Sequence, residues 1–117
     1  FLTKVHARHS KNHKNLKFIG VDNIREMIKF CKKKNKNKKN IYFLNKEIEN
    51  YNLKKCCIIS SFYTIQFISP KKRQKLIDKI FQGLNWGGAF FFVEKVTSAP
   101  FFHFIGFIFL FKAGPIP

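Results

Sequence analysis

Apolar residues in this chain fall in short continuous runs, and between the runs lie lysine-rich segments, two of which carry a helical period. Lys17-Phe-Ile-Gly-Val21 is the first run and suits a buried strand. Asn23 followed by Glu26 predicts a helix start of the capping-box kind, and Ile24, Met27, Ile28 and Cys31 form one apolar stripe on a helix of about three turns. Ile41-Tyr-Phe-Leu44 is the next strand, followed by the polar KEIENYN. Cys56-Cys-Ile-Ile-Ser-Ser61 is a third. Ser69-Pro70 predicts a second helix start, with Leu76, Ile77, Ile80, Phe81 and Leu84 at helical spacing. Gly83 and an Asn85-Trp-Gly-Gly88 turn stop it, and Ala89-Phe-Phe-Phe-Val93 is a fully apolar strand closed by Glu94-Lys95.

Continuous rather than alternating runs mean strands covered on both faces, hence a mostly parallel sheet. The alternation of strands with helices predicts an α/β, Rossmann-like doubly wound fold. Residues 1–15 are polar and basic and read as a terminal helix or a disordered remnant; residues 16–96 form the domain. The aromatic tail, residues 97–117, breaks the pattern. Its apolar core, Phe101 to Phe111, is shorter than the roughly 20 residues a bilayer span requires. An interfacial anchor, a final strand and a sequence foreign to the domain all fit it.

Composition changes this picture little. The 117 residues suffice for one small domain, and a first residue of Phe rather than Met reads as a fragment or processed piece of an intracellular protein. The net charge of +17 suggests a polyanionic partner, yet 20 lysines against 3 arginines, with 10 Asn, 14 Ile and 16 Phe, is also what an A/T-rich coding sequence favours. The densest block, KKKNKNKK at 32–39, suits a solvated tip where a helix ends. Cys31, Cys56 and Cys57 contain no CxxC and indicate buried free thiols. His6, His9 and His13 share one helical face, but no carboxylate accompanies them, and no metal site is expected.

In doubly wound sheets, ligands sit at the carboxyl ends of the strands. Asp22 follows the first strand, Glu47-Ile48 the second and Ser60-Ser61-Phe62-Tyr63 the third. An acid after such a strand accepts hydrogen bonds from both hydroxyls of a ribose. About 20 residues separate such an acid from a phosphate-binding glycine loop, and that distance back from Asp22 reaches residue 1 or 2. Glu47 can take the amino group of an adenine, with Ile48 as an apolar wall. Asp22 also has an ordinary reading as a helix cap, and Glu47 as an exposed loop acid.

FIGVDN, EIENY and FYTIQFISPKKRQKLIDKIFQGLNWGGAFFFVEKV together resemble the central part of a class I S-adenosylmethionine-dependent methyltransferase domain. TIQFISPKKRQKLIDKIFQGLNWGGA is most similar to the carboxy-S-adenosyl-L-methionine synthases of tRNA wobble-uridine modification. The resemblance covers roughly residues 10–96. It implies S-adenosyl-L-methionine as cofactor, with Asp22 and Asn23 on the ribose side, Glu47 and Ile48 at the adenine and Phe62 at the third strand end. It further implies a cytoplasmic setting, prephenate as the co-substrate of a synthase, an indirect link to tRNA and a homodimer as one form of a full-length parent. Phe62 stands where the synthases have an asparagine and Trp86 where the turn has a proline, which leaves a sister methyltransferase open.

By the same resemblance, the family's first, central strand and its glycine-rich motif are missing. Two unpaired edges would then remain, so the isolated chain is expected to be poorly stable and to bind the cofactor weakly or not at all. A small basic RNA-binding or ribosome-associated module is the alternative, and an interfacially anchored protein a third; neither requires a membrane-spanning segment.

Overall fold

The structure, a computed structural model, describes residues 2–12, 15–99 and 102–111, without the side chains of Val5, 95–99 and 102–111. The chain forms two compact units, residues 1–51 and 52–117. The first contains α1 (Leu2–His9), β1 (Phe18–Asp22), α2 (Arg25–Lys34), β2 (Ile41–Asn45) and a 3-10 turn (Ile48–Asn50). β1 and β2 run parallel with Asp22 opposite Asn45, so α2 is the crossover of a strand-helix-strand unit.

Phe18, Ile28, Ile41 and Phe43 form the core of this unit, with Leu2 and Cys31 packed against it. The expected stripe on α2 is only half used: Ile28 is buried, while Ile24 and Met27 are 54% and 48% exposed. A two-stranded sheet is too narrow to cover the full width of that stripe. Gly20 must stay without a side chain, since a Cβ there would lie 2.9 Å from Phe43 Cδ1 on the adjacent strand. Helix α1 is docked: buried His6 donates from Nε2 to Lys39 O (2.6 Å) and meets Phe18 edge-on at 5.0 Å. Thr3 donates to Asn35 Oδ1, and the buried Asn35 amide caps the end of α2 by donating to Cys31 O at 2.7 Å.

The second unit contains β3 (Cys56–Phe62), a 3-10 turn (Ile65–Phe67), α3 (Pro70–Gly83), β4 (Leu84–Ala99) and β5 (Phe102–Phe111). β3 and β4 are parallel and β4 and β5 antiparallel. Phe90 is fully buried, joined in the core by Val93, Leu84 and, from α3, Leu76 and Ile80. α3 begins at Pro70 after Ser69, as expected, although the Ser69 side chain makes no capping bond.

Asn85–Gly88 is a bulge inside β4 rather than a turn that precedes it. Cys56 pairs with Leu84 and Ile58 with Ala89, so four residues of β4 face Cys57 alone. Gly87 makes this cheap at φ 77°, and Gly88 allows Cys57 O to approach to 2.9 Å of where a Cβ would stand. Among the described residues β1 pairs only with β2, and β3 only with β4 and not with β1.

Candidate functional site

Asp22 ends β1, and three bonds hold it there. Its Oδ1 accepts from Ile24 N at 2.8 Å, while its carbonyl accepts from Asn45 Nδ2 (3.0 Å) and Lys46 N (3.1 Å). The Ile24 bond is an Asx turn that leads into α2; Ile24 occupies the cap position, no side chain makes a capping bond, and the expected Asn23–Glu26 box does not form. Asp22 stands two residues before that cap position, the spacing at which a short carboxylate bonds the N–H two residues on.

Asn23 is thereby released and points across the sheet end. Its Nδ2 donates to Glu47 Oε1 at 3.3 Å and to Oε2 at 3.4 Å, long bonds at an exposed position. Glu47 stands just before the 3-10 turn that begins at half-buried Ile48 and makes no side-chain capping bond to it. The carboxyl edge of β1 and β2 therefore gathers Asp22, Asn23, Glu47 and Ile48, four of the five residues expected at a cofactor. Asp22 Oδ2 has no hydrogen bond among the described residues. This is a cluster of acceptors with one amide donor and an apolar wall. It suits a neutral, hydroxyl- and amine-bearing ligand better than a metal, and among the described residues no metal-ligating cluster occurs. His13, the third of the spaced histidines, lies outside the described residues.

Phe62, the fifth expected residue, ends β3 in the second unit, 42% exposed. Beside it is a residue that had no assigned role. Glu94, half-buried on β4, accepts from the backbone N–H groups of Thr64 (3.2 Å), Ile65 (3.0 Å) and Gln66 (3.1 Å). Arg73 of α3 holds the far end of the same turn, donating to Gln66 O at 3.0 Å and Ile68 O at 2.9 Å. The sequence carries a signal for Glu94: like Asp22 after Phe18–Val21, it is an acid directly after an apolar run.

A family model described as a methyltransferase domain matches residues 3–88. The chain belongs to the methyltransferase domain family. It is 40% identical over 90 residues to a carboxy-S-adenosyl-L-methionine synthase of Nautilia profundicola, covering 76% of this chain and 38% of that protein. To the enzyme of that name from Campylobacter lari it is 36% identical over 87 residues, 74% of this chain and 37% of the other. The chain thus spans well under half the length of these relatives. Among solved structures, the N-methyltransferase NodS of Bradyrhizobium japonicum, in complex with S-adenosyl-L-homocysteine, superposes with a TM-score of 0.61 at 15% identity, over 66% of this chain and 40% of that one. That likeness shows a Rossmann-like α/β fold, as the sequence predicts. These matches give no support to a basic RNA-binding module.

Among the described residues no helix is long and apolar enough to cross a membrane. Phe102–Phe111 of the aromatic tail is strand β5, paired with β4.

Proposed function

We propose that this chain is the nucleoside-holding part of an S-adenosylmethionine-dependent transferase domain that acts on a small molecule. The convergence of Asp22, Asn23 and Glu47 at the carboxyl edge of two parallel strands carries the reading. The residues fit the group: Asp22 Oδ2 is open to a ribose hydroxyl, and the Asn23–Glu47 bonds are long enough to yield to a ligand at small cost. Glu47 would accept from the adenine amino group, with Ile48 against the ring. When bound, the cofactor supplies an electrophilic carbon on its sulfonium; the chain's own residues hold and orient the nucleoside.

The relatives' names suggest carboxy-S-adenosyl-L-methionine synthesis; the sequence resemblance adds prephenate as the proposed co-substrate and tRNA modification as the proposed process served. Phe62 favours methyl transfer instead, because a phenyl ring offers no hydrogen bond where the synthase pattern has an amide. A cytoplasmic homodimer is the proposed state of the full-length parent.

The chain alone is expected to bind weakly, with Kd on the order of 1 mM, about −4 kcal/mol. Equilibrium dialysis with radiolabelled S-adenosylmethionine tests the reading. Asp22→Ala removes a charge-assisted bond of about 1.5–3 kcal/mol and should reduce binding by more than tenfold. Equal retention by wild type and variant would remove Asp22 from the site.

A further inference from the structure

We propose that Glu94 is a positioning residue: it clamps the turn after β3 and so sets how Phe62 and Tyr63 are presented at the carboxyl end of β3. Its carboxylate has about four acceptor positions and uses three on consecutive backbone N–H groups, so it is committed to holding backbone rather than to taking a substrate proton. The turn needs such a clamp. Tyr63 has φ 51°, a left-handed conformation that a bulky side chain adopts only under constraint. Tyr63 N is tied to Val93 O at 2.8 Å, the residue before Glu94, so both anchors come from adjacent positions of β4. Arg73 closes the other end on Gln66 O and Ile68 O.

The result is a preorganised turn with two aromatic rings, Phe62 and Tyr63, 42% and 43% exposed. Holding them in advance removes an ordering cost when a ligand arrives at that strand end. That the ligand is the cofactor or its co-substrate rests on the function proposed above.

Amide hydrogen exchange on the unliganded chain, read residue by residue by NMR, tests the role of Glu94 separately from cofactor binding. In Glu94→Ala, protection at Thr64, Ile65 and Gln66 should fall at least about tenfold, while Ser60 and Ser61 in the β3–β4 ladder stay as in wild type. Glu94→Gln keeps the shape and one oxygen. That oxygen can serve Thr64 and Ile65, which share Oε1, but the new NH2 group opposes the Gln66 N–H. Protection should therefore survive at 64 and 65 and be lost at 66, and this variant carries the test if Glu94→Ala does not fold. Unchanged protection at all three, or a uniform fall through β3 and β4, overturns the proposal. A chain that binds no cofactor yet shows the graded pattern counts against the proposed function and in favour of the clamp.

Discussion

Replacing Gly83 with alanine sets two effects of opposite sign against each other. Gly83 is the last residue of α3, and helix propensity alone says alanine should stabilise by about 1 kcal/mol. A Cβ at Gly83, however, would stand 2.7 Å from Leu53 O, 2.8 Å from Leu53 Cβ and 3.0 Å from Leu53 C. Unstrained carbon contacts lie near 3.5–4.0 Å, and two of these three atoms are backbone, so no side-chain rotation relieves them. Overpacking of this kind costs about 1–3 kcal/mol, and rigid backbone neighbours put it in the upper half of that range. The net expectation is a loss of about 1–2 kcal/mol. Urea unfolding followed by Trp86, the one tryptophan and a residue of β4, should show the midpoint falling by roughly 0.5–1 M with the slope unchanged. Gln82→Ala, at the exposed preceding position, should stay within about 0.5 kcal/mol of wild type. A Gly83→Ala midpoint at or above wild type would refute the steric reasoning and leave propensity in control.

Phe90→Ala should destabilise the second unit by about 3–5 kcal/mol, since Phe90 is 0% exposed and stacks on Phe92 at 5.2 Å; far-UV circular dichroism in urea checks it, and a loss under 1 kcal/mol would mean the core does not close around this ring. The adjacent thiols should differ in reactivity. Burial, and then the neighbouring Cys57 thiolate, raise the Cys56 pKa, so Cys56 holds its proton to higher pH and has less thiolate near pH 8. Iodoacetamide labelling with peptide mapping should find exposed Cys57 modified first and Cys56 catching up only as pH rises; the reverse order would contradict the burial of Cys56.

The strands and helices were legible in the sequence because continuous apolar runs and helical spacing report burial directly. The gathering of Asp22, Asn23 and Glu47 at one strand edge was legible because each follows an apolar run that reads as a strand of the same parallel sheet. The capping pattern is not legible from spacing alone: the helix starts one residue later than an Asn23–Glu26 box requires, with Ile24 at the cap and Asp22 bonded to its N–H. The NWGG segment reads as a turn in any local view; only the ladder to β3 makes it a bulge. The role of Glu94 is not legible in the sequence, because its partners, Thr64 to Gln66, lie about 30 residues away and are backbone groups, which leave no trace in side-chain pattern.

The most direct measurement is an NMR titration of the chain with S-adenosylhomocysteine, with free methionine as the control that lacks a nucleoside. Saturable shifts at Asp22, Asn23, Glu47 and Ile48, in the millimolar range and absent with methionine, are expected. Shifts confined to other residues, or equal shifts with methionine, would contradict a nucleoside-holding role for that strand edge.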